Sequence, residues 1–462
     1  MSLFFINPKK KLILEKNLMD NIGPGNSKDR FKTVFRSLQY RNYRLFFSGQ
    51  SISLIGTWMQ RIAMPWLVYH MTGSALLLGV VGFAGQIPSF ILSPVAGVLT
   101  DRWSRYRVLV VTQIISMVQA AILAILCLSG VIQIWQIIML SVILGCVNAF
   151  DVPSRHSFVI DMVEKKEDLG NAIALNSLMF NGARLIGPSI AGVMLASTSE
   201  GICFLLNAIS YIFVIISLLM MRLHFRETHR KEERILNALG EGFRYTFGFA
   251  PIKHLLILLS ISSLMGMSYS VLMPVFAKEI LHGGSHTYGF LMGAAGFGAL
   301  LGALFLASRK SVLKLGRIVP ASAILFGAGL LGLSFSRIFP ISLVLMIFIG
   351  LGMMMQTAAS NTIIQTITDD DKRGRVMSFY TMAIMGTAPF GSLMAGGLAK
   401  VIGTPGTIFL GGSASIIGAL FFLRKLPQLR ALVRPVYVKM GIIPEVAEGI
   451  QTASEQSTET GL

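Results

Sequence analysis

Two arginines stand where arginine is costly. Arg61 and Arg184 lie inside apolar runs of about membrane-spanning length. An arginine at mid-bilayer costs roughly 2.5–3.5 kcal/mol by insertion scales, so it usually faces a cavity or a partner. In the run from about 45 to 69, Gln50, Ser53, Thr57 and Gln60/Arg61 share one face at helical spacing. In the run from about 172 to 196, Ser177, Asn181, Arg184 and Pro188 do the same. Arg184 should sit near mid-depth, and Arg61 about 25 Å from the inner edge by helical rise. No Asp or Glu lies in the middle of an apolar run to neutralise them. Either an anionic or acceptor-rich cargo group does so transiently, or backbone carbonyls and amides satisfy them permanently and they hold helices together. Gln50, Thr57, Gln60, Arg61, Asn181 and Arg184 form the candidate substrate site.

A second constellation lies at the inner edge. Gly97-Val-Leu-Thr-Asp101-Arg102-Trp-Ser-Arg105-Tyr-Arg107 stands between two long apolar runs. Gly97 permits close approach of a neighbouring helix. Asp101 can meet a helix N-terminus or an arginine. With Asp151, Arg155 and Arg373 these residues form a candidate cytoplasmic gate. Asp101 and Asp151 are expected to contact Arg105 and the chain near Arg373 and Gly374, holding one access state shut. The second half repeats this only weakly, as Gly298, Gly302 and Ser308-Arg309-Lys310, with no acid at the place of Asp101. The run Gly182-Ala-Arg-Leu-Ile-Gly187-Pro188-Ser-Ile-Ala-Gly192 combines glycines for tight contact with a proline that kinks or stiffens a helix.

Other chemistry is missing. The histidines show no metal spacing, and no phosphate loop of the Gly-x-x-x-x-Gly-Lys-Ser/Thr type occurs. No nucleophile–base pair appears, so an enzyme is not expected, nor a cofactor or a metal. Cys127, Cys146 and Cys203 all lie in apolar runs and read as small hydrophobes. Met353 to Met355 beside Gln356 offer a pliable apolar surface or ordinary core.

The elements that must position these residues follow from composition. Only 13% of the 462 residues are charged and the mean hydropathy is +0.67, which marks an all-α polytopic membrane protein. Apolar runs of about twenty residues begin near 45, 75, 108, 134, 172 and 202, and again near 254, 288, 318, 341, 376 and 405. Twelve transmembrane helices in two six-helix pseudo-repeats are expected. The divisions are a tail 1–42, a bundle 43–221, a linker 222–252 with a short amphipathic helix, a bundle 253–424 and a tail 425–462. Residues 170–192 and 374–396 share small residues and a Gly-Pro or Ala-Pro pair at matching places, which suggests duplication. The net charge of +18 does not signal nucleic acid here. All Lys and Arg fall on the side of the termini except Lys278, Arg337 and Lys400, plus Arg61 and Arg184 within spans. Both termini are therefore expected in the cytoplasm. The polar, lysine-rich start has no cleavable signal core.

The Gly97–Arg107 run resembles the loop 2–3 signature of the major facilitator superfamily, with Ser104 where that signature has its second glycine. The Gly187-Pro188 run resembles the helix 5 motif of its exporters. Met59-Gln60-Arg61, Pro65-Trp66-Leu67-Val68-Tyr69, Asp151-Val-Pro-Ser-Arg155 and Arg373-Gly-Arg-Val376 are similar to the enterobactin-exporter-like and macrolide-efflux branch. The resemblance covers about 37–426. It implies twelve helices in two bundles, a central cavity, an inner (plasma) membrane location and transport driven by a proton gradient. The expected function is export of an amphipathic small molecule, a siderophore or drug, by a monomer in the lipid bilayer. A metabolite importer, a lysolipid transporter and a non-transporting receptor or assembly factor on the same fold are the alternatives.

Overall fold

The computed structural model describes residues 35–222, 235–309, 311–369 and 372–440. The side chains of residues 93–95, 97–98, 100–102, 166 and 235–239 lie outside the description. So do the breaker cluster Gly23–Ser27, the linker core 223–234, Lys310, Asp370, Asp371 and the tail 441–462. All regular structure among the described residues is helical.

Helices α1 (Arg41–Thr72), α2 (Ala75–Arg102), α3 (Arg105–Leu128), α4 (Ile134–Asp161), α5 (Leu169–Ser197) and α6 (Glu200–Leu219) precede the linker. The linker contributes α7 (Ile235–Gly248). Then come α8 (Ala250–Ile280), α9 (Ser285–Ala307), α10 (Leu315–Phe335), α11 (Phe339–Ile367) and α12 (Arg373–Lys439). Ten of these helices are long and apolar enough to cross a membrane, so this is a multi-pass membrane protein. The 32-residue α1 is not among the ten, because Gln50, Ser51, Ser53, Thr57, Gln60 and Arg61 lower its hydropathy. Its end is set by Gly73, whose φ of 60° is the left-handed turn a C-terminal glycine allows. In α12, Gly403 (φ 75°, ψ 165°) breaks the helix between the apolar runs expected near 376 and 405. Beyond the expected end at 423 the helix continues to Lys439, because Leu426, Leu429 and Val433 share a face and bury it.

α1 packs against α5 and α6, α2 against α4, and α3 against α4 and α6. Later in the chain α11 packs against α9 and α10, and α10 against α12. Two extensive contacts join the groups, α5 with α9 and α2 with α12, and α8 makes smaller ones with α1 and α2. Each extensive contact is made by glycines. A Cβ on Gly192 would fall 2.8 Å from the Cα of Gly289, and one on Gly79 3.1 Å from the Cα of Gly396. Without side chains the backbones touch directly. The later helices also carry π turns, at Ser262–Met267, Phe276–Ile280 and Met382–Gly386.

Candidate substrate site

Gly187 allows α5 to press on α1 at Trp58, since a Cβ there would strike the Trp58 side chain and lie 3.0 Å from the carbonyl oxygen of Ile55. Trp58 also meets Phe180 edge-on, with ring centres 5.8 Å apart. Onto this fixed ring both arginines converge. The guanidinium carbon of Arg61 lies 4.8 Å from the ring centre, and that of Arg184 5.7 Å. Such contacts attract a cation to the negative face of the indole. Arg184 Nη2 reaches the sulfur of Met353 on α11 at 3.8 Å. Arg61 is exposed and Arg184 half-buried. Among the described residues neither guanidinium is paired with a carboxylate.

The polar stripes of the sequence divide in the structure. Thr57 stays half-buried, donating to the carbonyl oxygen of Ser53 at 2.9 Å. Gln50, Gln60 and Asn181 are instead buried, at 4%, 5% and 6% exposure, so they do not line a cavity. Gln60 Nε2 donates to Gln119 Oε1 at 3.1 Å and its Oε1 accepts from Asn207 Nδ2 at 2.7 Å. Gln119 goes on to the carbonyl oxygen of Leu140 at 3.3 Å. The amides satisfy one another across α6, α1, α3 and α4, as buried polar groups must. Asn181 donates to the carbonyl oxygen of Ser177 on its own helix at 2.9 Å. In the helix 5 motif, Gly187, Pro188 and Gly192 are packed, while Gly182 has open space where a side chain would go.

The expected inner contacts are differently arranged. Asp151 accepts from Thr112 Oγ1 at 3.0 Å and Gln113 Nε2 at 2.7 Å, and pairs with Arg155 at 3.4 Å. All these partners lie on α3 and α4, so Asp151 does not meet the start of α12. Arg105 pairs with Asp161 at 3.3 Å. Asp151 is ten residues further along α4, about 15 Å by helical rise, which explains the different partner. The side chains of Gly97, Asp101 and Arg102 lie outside the described residues. Arg373 lies at the start of α12, beside Asn361, Thr362, Gln365 and Thr366 of α11 in a polar groove of about 530 Å³. Arg375 next to it is tied to Glu241 of α7 at 2.7 Å.

Sequence reasoning missed two clusters. Asp168, 3% exposed, collects Arg36, Gln39 and Tyr40, the last at 2.6 Å. In the sequence it is one charge in a polar loop, with nothing local to mark it as buried. The second is at the opposite face, where Tyr69 of α1 donates to Glu279 of α8. Glu279 could have been noticed as an acid closing an apolar run.

The chain belongs to the transmembrane secretion effector family of the major facilitator superfamily, whose profile matches residues 32–450. It is 29% identical over 384 residues to a staphyloferrin A transporter of Staphylococcus aureus, covering 82% of this chain and 95% of that one. It is 25% identical over 380 residues to the multidrug efflux pump Tap of Mycolicibacterium fortuitum, covering 80% and 92%. Its fold matches a bacterial homologue of the human lysosomal transporter Spinster with a TM-score of 0.61 at 12% identity, covering 87% and 98%. This is a transporter of that superfamily and not an enzyme.

Proposed function

We propose that this protein exports an amphipathic small molecule bearing an anionic group, a siderophore or a drug, across the plasma membrane by alternating access. The observation that carries this reading is the convergence of Arg61 and Arg184 on Trp58, with no carboxylate partner among the described residues. The two guanidiniums offer planar donors to a carboxylate, and the indole offers a face to an apolar or aromatic part of the same cargo. Relatives named for staphyloferrin A and for multidrug efflux support a small-molecule cargo.

The carrier has twelve crossings in this reading. α12 counts twice because Gly403 folds it back, and α1 counts despite its polar stripe. Two six-helix bundles are supported by the repeated pairing of α5 with α9 and of α2 with the first part of α12, each through glycines. Both termini lie in the cytoplasm, which the distribution of Lys and Arg supports. The bundles meet through Gly79, Gly192, Gly289, Gly396 and Tyr69 near the face opposite the termini. The polar groove beside Arg373 lies at the face of the termini. The conformation is thus read as open to the cytoplasm. The gate of Asp101, Asp151, Arg155 and Arg373 would form when that face closes. The protein works as a monomer, needs no bound cofactor and draws on the proton gradient.

The test is cargo flux in vesicles of known orientation, with candidate siderophores and drugs. Export by the unaltered protein, with flux reduced at least about tenfold in Arg184→Gln and Arg61→Gln at equal membrane content, is expected from losing one charged hydrogen bond. Unchanged flux in both variants, or flux in the uptake direction only, overturns the reading.

A further inference from the structure

The face opposite the termini is closed by an assembly that differs from the glycine contacts below it. Tyr69, in the last turn of α1 and 3% exposed, donates its hydroxyl to Glu279 Oε1. Glu279 lies in the π turn Phe276–Ile280 that ends α8. Lys278 holds its ammonium 5.6 Å from the centre of the Tyr69 ring. One turn deeper, Trp66 of α1 stacks on Tyr288 of α9, with ring centres 6.0 Å apart and planes 16° from parallel. Among the described residues, Glu279 is the one carboxylate bonded between the helices before the linker and those after it. It is also exposed to the solvent on that side.

We propose that Glu279 is a proton-sensitive latch: ionised, it ties α1 to α8 and shuts this face; protonated from that side, it lets the face open. The inference rests on the transport reading above and adds the group that couples opening to protons. An ionised carboxylate accepts a stronger hydrogen bond than a neutral one. When a hydronium ion outside gives its proton to a Glu279 oxygen, Tyr69 keeps its own proton and loses its charged acceptor. Acid on that side therefore favours the outward-open state, in which cargo leaves where protons are abundant. The other charged and titratable groups at this face are His70 of α1, which meets Glu200 of α6 at 3.2 Å, His282 in the turn after Glu279, His286 in the first turn of α9, Arg337 in the turn between α10 and α11, and Lys400 before the Gly403 break. His70 and Glu200 sit on the same side of the junction, so charging His70 does not pull α1 from α8.

The experiment is hydrogen–deuterium exchange on the full chain in lipid nanodiscs, following amides 66–76 and 276–290 after correction for intrinsic rates. Lowering the pH from about 7.5 to about 3.5, a span that takes an ordinary carboxylate through its titration, should speed their exchange several-fold. Glu279→Gln should exchange fast at both pH values, and Glu279→Asp should keep the response. Tyr69→Phe should also lose it, and serves if Glu279→Gln does not assemble. An unaltered protein indifferent to pH, or a Glu279→Gln protein with the full response, overturns the latch. Cargo flux in the same preparation separates the two ideas. A pH-responsive face without flux removes the transport reading and leaves the latch, whereas flux with an unresponsive face does the reverse.

Discussion

Between α1, α3 and α6 an amide chain runs from Gln119 through Gln60 to Asn207. The helices after the linker have, among the described residues, one buried amide bond between helices, Gln356 to Ser262 at 2.8 Å, and three π turns. The first group thus fixes its helices by paired polar groups, which tolerate little sliding because each partner left alone is penalised. The second relies on small residues and on turns with an extra residue, which can change register locally. Both arginines stand on the first group, and Arg184 reaches the second through Met353.

Five substitutions sharpen or break this comparison. The largest effect is expected from Gly192→Leu, which drives a side chain into the Gly289 backbone. It should abolish flux and destabilise by roughly 1–3 kcal/mol, seen as a lower thermal midpoint. A Gly192→Leu protein that transports normally would show that the α5–α9 contact is not needed to close that face. Arg184→Gln should follow, with flux down at least about tenfold and stability nearly intact, because the lost term belongs to the cargo. Gln60→Leu should leave transport partly intact but cost about 1–3 kcal/mol of stability, since Gln119 and Asn207 both lose a partner. Gln356→Leu orphans only a serine hydroxyl, so a thermal midpoint lowered as much as by Gln60→Leu would erase the distinction between the groups. The smallest change is expected for Arg155→Gln, about 1 kcal/mol, because Asp151 keeps Thr112 and Gln113.

The helices were legible because length and apolarity alone specify a span, and even the break between the last two follows from Gly403. The placing of Arg61 and Arg184 inside long helices was legible, since both lie within apolar runs. Their meeting on Trp58 was not, because Trp58 reads in sequence as one apolar residue among many and its role depends on Gly187 of another helix. Gln60 was placed with Arg61 for a related reason. Its neighbour Arg61 is exposed, but one residue is a 100° rotation, enough to turn Gln60 toward Asn207. The Asp151 contacts were hidden because Thr112 and Gln113 look like ordinary polar residues in an apolar helix.

The long final helix carries Met440 to the rim of the groove beside Arg373. A bulky label placed on Met440 would consequently crowd that groove, whereas one on Val131, exposed in the turn between α3 and α4 on the far side, leaves it clear.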